Sequence, residues 1–232
     1  EMAVPLWAER SGTTPWHAHH IAERYGLMVI IVLGECVLGA TNSIANMWQT
    51  HGWSVDLGLL GLASILLVFS LWWMYFLLPS GEALHHHRER AWGWGYGHYL
   101  LFAAVAAIGS SLEVVADVVK TAHFSPEAHD FAAQAAHSSH GVSPLYAITM
   151  VALAEAVFVA SLWGIHRHAT RSQDHLIFMG LTCLGSIAVG PIAISQGLPL
   201  PWGLLLLSAG PIITITYMVQ SQKRKPDRLD IA

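Results

Sequence analysis

Long apolar runs, separated by short polar intervals, set the pattern of this chain. Six windows stay apolar for about 20 residues, the length at which a helix crosses a bilayer core. They are 25–45, 57–78, 97–119, 144–164, 175–195 and 201–219. Each is predicted as a transmembrane α-helix, because the ten-residue alternation of a membrane barrel is absent. The expected fold is all-α: a polytopic bundle of six spans, forming one integral membrane domain over residues 1–232.

The intervals carry their own signals. Ser125-Pro126-Glu127 reads as the start of a short surface helix, with Ser125 as N-cap and Pro126 at the first position. Asp56 is expected to cap the second span. Gly93-Trp94-Gly95-Tyr96-Gly97 reads as a glycine-aromatic turn before the third. Gly190-Pro191 and Gly210-Pro211 repeat in the last two spans, where a proline frees a carbonyl and a glycine admits a neighbour. They read as kinks or as the broken helices of transport sites.

Basic residues give an orientation. Of the eleven Lys and Arg, Lys120 alone falls on one side of the spans. Positive charge concentrates on the cytoplasmic side. Both termini are therefore expected in the cytoplasm, with the protein in a bacterial inner membrane. Trp72, Trp73, Trp92, Trp94 and Trp163 gather toward the basic side and Trp48, Trp53 and Trp202 toward the other, as interfacial anchors do.

Composition strengthens this picture. Apolar types make up 54% of residues and charged types 11%, against about 25% charged in a soluble domain. Mean hydropathy is +0.48. The net charge of −4 and the lack of a basic block away from the tail QKRKPDRLDIA give no sign of a nucleic-acid partner; that tail suits contact with anionic lipid. The bilayer is the expected partner. Cys36 and Cys183 lie in apolar runs and read as two buried thiols rather than a disulfide. The first residues lack the pattern of a cleavable signal, and the chain opens on Glu, as a fragment or a processed product would.

Polar groups inside the spans raise the functional question. An ionised carboxylate at mid-bilayer costs about 2.5–3.5 kcal/mol on insertion scales, so Glu35, Glu113 and Glu155 are not expected to face lipid. Arg24 and Glu35 are eleven residues apart, which places them within about 20° on one helical face. His20, Gly39, Asn42 and Asn46 continue that line. Gly109, Glu113, Asp117 and Lys120 form a second line, and His98 precedes Glu113 by the same interval as His20 precedes Glu35. Such stripes act either as glue between helices or as the lining of an ion or proton path.

Fifteen histidines, including HAHH, HHH and HRH runs near the basic side, raise a separate reading: a membrane metalloenzyme holding iron or zinc. Its expected paired boxes are missing, since His17 and His20 form the one pair at ligand spacing there. No nucleotide loop, nucleophile elbow or CxxC pair is present. No catalytic residue, metal site or cofactor is assigned.

The stretch from His20 to Glu35, HIAERYGLMVIIVLGE, resembles the signature of the bacterial low temperature requirement A family. Trp72-Trp73-Met74-Tyr75-Phe76 is similar to that family's aromatic element, and the glycine-rich approach to His98 and Glu113 follows in the same order. The resemblance implies an integral membrane protein linked by name to growth in the cold, without a settled activity. It also implies that His20, Glu23, Arg24 and Glu35 are motif positions, with His98 and Glu113 beside them. Family members usually carry a further set of helices before this part. The chain thus looks like a C-terminal part or a shortened form, whose partner is a missing N-terminal half or another copy of itself as a homo-oligomer.

The leading expectation is passage of protons or a small ion past Glu35 and Glu113, with Glu155 next and Arg24 as an inner gate or counter-charge to Glu23. The alternative is a scaffold or sensor of membrane state that transports nothing and uses its polar stripe for packing. An enzyme is the less favoured class.

Overall fold

A computed structural model describes residues 4–8, 12, 15–124, 141–170 and 176–223. These residues form helices α1 (Val4–Ala8), α2 (Ala18–His51), α3 (Val55–Phe76), α4 (Ser80–His86), α5 (Ala91–Phe124), α6 (Pro144–Thr170), α7 (Leu176–Ser195) and α8 (Leu200–Lys223), with a 3-10 turn at Arg88–Arg90. No strand occurs among them. The all-α expectation holds among the described residues, and each of the six windows falls mainly on one long helix.

Helices α2 and α5 are 34 residues each, about 51 Å at 1.5 Å per residue. They overrun their apolar windows at both ends, because hydropathy marks bilayer depth whereas backbone bonding continues into the polar flanks. Among the described residues, five segments have the length and apolarity to cross a membrane: Ala18–Thr50, Val55–His86, Arg88–Ala122, Pro144–Thr170 and Leu200–Ser221. In α7 the apolar stretch found is shorter, Gly180–Ser195.

Two local expectations are corrected and, of the two readings of the Gly-Pro segments, the broken helices fall away. Ser54, not Asp56, caps α3: its hydroxyl accepts the Leu57 N–H at 3.1 Å, and Asp56 sits inside the first turn. The Gly93–Gly97 stretch is helical, within α5. Its glycines allow close packing instead of turning the chain; a Cβ on Gly97 would lie 2.7 Å from Ile165 Cγ1 of α6. Helices α7 and α8 run unbroken through Pro191 and Pro211. The expected helix start at Ser125-Pro126, the loop histidines from His129 to His140 and the tail beyond Lys223 lie outside the described residues.

The six long helices form a closed circuit. Helix α2 packs on α5, α5 on α6, α6 on α7, α7 on α8, α8 on α3, and α3 on α2. The centre is filled by side chains, including Leu67, Leu71, Met74, Leu101, Ile108 and Phe158, all fully buried. The outside is apolar too: Ile31, Leu62, Phe69, Leu100, Leu153, Leu181 and Ile213 are each about half exposed or more. Apolar surface on every side suits a lipid solvent, since a soluble monomer rarely shows large contiguous patches. Cys36 and Cys183 are free and buried.

One end of the bundle collects the positive charge. Arg88, Arg90 and Arg167 are there, and the Arg90 guanidinium donates to the carbonyls of His168 (3.3 Å) and Ala169 (3.1 Å) at the end of α6. A cation beside these terminal carbonyls is favourable to the helix dipole. Helix α4 lies at this basic end, against the start of α2.

Candidate functional site

The intramembrane polar residues divide into two groups. The first is enclosed. His98 on α5 is fully buried. Its Nδ1 lies 2.8 Å from the Trp94 carbonyl, and its Nε2 lies 3.0 Å from Tyr75 Oη of α3. A carbonyl can only accept, so Nδ1 carries the proton and Nε2 accepts from the tyrosine hydroxyl. Tyr25 of α2 meets the rings of Trp94 and His98 edge-on, each at 4.8 Å. His98 thus ties three helices together near the basic end, with both ring nitrogens satisfied.

Glu155 on α6 is enclosed as well. It is fully buried, and neither carboxyl oxygen has a hydrogen-bond partner. Nearby polar groups have bonded elsewhere: Thr214 of α8 donates to the Gly210 carbonyl at 2.9 Å and meets Thr182 Oγ1 of α7 at 2.6 Å. The Cys183 thiol lies 3.6 Å from the same Thr214 hydroxyl. Glu155 is thus a buried carboxyl in a region whose hydroxyls serve helix-to-helix contacts.

The second group lies open. Glu35, Asn42 and Asn46 of α2 are exposed, as are Ser110, Glu113, Asp117 and Lys120 of α5. Val29, Leu33, Cys36, Ala40 and Met47 fill the core from the opposite flank of α2, which turns the polar stripe outward. The two helices rise side by side from the basic end. The Cys36 thiol lies 3.3 Å from the Val105 carbonyl. A Cβ on Gly39 would fall 2.5 Å from Glu113 Oε1. Glycine at 39 therefore leaves the room in which the Glu113 carboxyl lies against α2. Both Glu35 and Glu113 are within electrostatic reach of the Cys36 thiol. The result is a shallow polar furrow along the outer side of the α2–α5 pair, with Glu35 and Glu113 near mid-helix and Asn42 and Asp117 beyond them.

At the basic end of this furrow, His20, Glu23 and Arg24 are all exposed. Arg24 makes no ion pair with Glu23. The His20 ring contacts that of His17, centroids 4.9 Å apart, and His19 reaches His85 of α4 at 6.2 Å. Among the described residues, no three His, Cys, Asp or Glu side chains gather closely enough to hold a metal ion.

The sequence-predicted residues are therefore not brought to one place. His20, Arg24, Glu35, Asn42, Glu113 and Asp117 follow the α2–α5 pair, Glu23 is exposed about 120° round α2 from Glu35, and His98 and Glu155 lie inside the bundle. In the sequence Tyr75 stands out only as part of the aromatic element, not as the partner of His98. A histidine in an apolar span implies a hydrogen-bond partner, but helical spacing cannot say which neighbouring helix supplies it.

Comparison with known proteins adds one match. The family model described as bacterial low temperature requirement A protein (LtrA) matches residues 1–210. No curated protein matches, and no solved structure does. The match spans most of the chain, and with the apolar helices it makes this an integral membrane protein that belongs to the low temperature requirement A family.

Proposed function

We propose, taking that family membership as the premise, that the protein passes protons or another small cation along the α2–α5 furrow. The observation that supports this reading is the shared flank of Glu35 and Glu113 on two parallel helices, with polar groups continuing toward both ends. A carboxyl group takes up a proton by becoming neutral and releases it by ionising. It can thus carry charge without holding a permanent ion at mid-bilayer, where ions are costly. His20, Glu23 and Arg24 form the mouth at the basic end, and Asn42 and Asp117 line the far half. The basic end faces the cytoplasm of a bacterial inner membrane, following the bias of Lys and Arg.

Glu155 stands apart from this path, inside the bundle. A second reading, a scaffold that transports nothing, draws on the closed centre and on the satisfied Tyr75–His98–Trp94 chain. The metalloenzyme reading has no geometric support among the described residues.

The test uses purified protein in liposomes holding a pH dye, with a potassium–valinomycin potential imposed. Wild type should acidify or alkalinise the lumen according to the sign of the potential. Glu35→Gln, which keeps shape and hydrogen bonding but cannot titrate, should fall to the level of empty liposomes. Equal flux from both proteins would remove Glu35 from the path, and folded wild type without flux would favour the scaffold.

A further inference from the structure

The furrow has a consequence for assembly. Within one copy, nothing among the described residues covers Glu35, Asn42, Glu113 or Asp117. At membrane depth such groups face protein or water rather than acyl chains. We propose that this face is the contact between two copies of the chain, related by a two-fold axis along the bilayer normal.

A second copy offers this face groups at matching depths. Helices α2 and α5 run in the same direction, so that axis sets α2 of one copy beside α5 of the other without changing depth. Gly39 lies level with Glu113. Asn42 is three residues beyond Gly39 and Asp117 four beyond Glu113, so their depths match to about 1.5 Å. Across the axis, the Asn42 amide of one copy meets the Asp117 and Glu113 carboxyls of the other. Glu35 comes level with Ser110, whose exposed hydroxyl donates to the Ala106 carbonyl at 3.2 Å and keeps its oxygen free to accept from a protonated Glu35. Lys120, one turn beyond Asp117, is a cation on this part of the face and supplies a counter-charge to Asp117 of the other copy. Asn42 and Lys120 thus find the Glu113 and Asp117 carboxyls, and Glu35 the Ser110 oxygen, on an identical surface, as an isologous contact requires.

Side-chain size agrees. Between positions 103 and 110 the exposed residues of α5 are Ala103, Ala106, Ala107 and Ser110, with the larger Tyr99 and Leu100 exposed below them, and small residues let membrane helices approach closely. A foreign helix would need its own groups at matching depths; a second copy has them already.

The full chain, fused to a fluorescent protein and diluted into large liposomes, would be counted by single-molecule photobleaching. Wild type should bleach in two steps. The triple variant Glu35→Leu/Asn42→Leu/Glu113→Leu should bleach mostly in one, with helicity unchanged by circular dichroism. Ala106→Trp, which fills the small-residue flank and leaves the polar groups intact, should also bleach in one and decides the matter if the triple variant does not fold. Single-step wild type, alone or with a different protein bound, overturns the proposal, as does two-step bleaching that survives in the folded variants. The proposal deepens the transport reading but fails separately from it. A dimer without proton flux breaks only the transport reading, and flux from single-step particles breaks only this one.

Discussion

Glu155 and Glu35 are the same residue type in apolar helices, yet the fold treats them in opposite ways. Glu155 is sealed inside the bundle with no bonded partner. Glu35 lies open on α2, in line with other polar groups. The first can act only through the chain that encloses it. The second is accessible to whatever lies against the bundle. A carboxyl inside a span is therefore not one kind of feature: its neighbours decide whether it bears on stability or on exchange with the surroundings.

The sharpest way to break this contrast is at the enclosed end. His98→Phe keeps ring volume but leaves the buried Tyr75 hydroxyl without its acceptor, a loss of about 2 kcal/mol. Unfolding in bicelles by SDS titration would measure it, and wild-type stability in the variant would mean that the contact is dispensable. A smaller change of opposite sign is expected at Glu155. Replacing an unbonded buried carboxyl by an apolar chain of similar length, Glu155→Met, should stabilise by about 1 kcal/mol and leave proton flux intact. Flux lost in that variant would move Glu155 onto the path. The smallest stability effect belongs to the furrow. Glu113→Gln should leave unfolding within about 0.5 kcal/mol of wild type while lowering flux in the liposome assay. A large stability loss there would show that the furrow is packing and not a path.

The helices were legible because a bilayer sets their length, and the stripe on α2 was legible because helical geometry fixes which residues share a flank. Arg24, Glu35, Asn42 and Asn46 do share one. What the stripe faces was not legible. Periodicity gives the angle between residues on one helix but not the direction of that helix's neighbours, so Glu35 and Glu155 looked alike. The cap at Ser54 was missed in favour of Asp56 two residues later, since both types cap well and the hydrogen bond to Leu57 is visible only in coordinates. The glycines before His98 looked like a turn for a related reason. Their role is to admit Ile165 and Tyr25, contacts made by helices distant in sequence.

The closed circuit of helices also bears on how the protein is made. Helix α3 enters the membrane early, but one of its two main neighbours in the circuit is α8, the last long helix to be synthesised. Until then the α3 flank that will meet α8 must rest against lipid or a passing chaperone. Helices α2, α3 and α5 can associate while the chain is still growing, whereas the circuit closes only through a contact between segments far apart in sequence. Such contacts form late and slowly. The interval before closure is thus the period in which the nascent bundle is most exposed to misassembly and quality control.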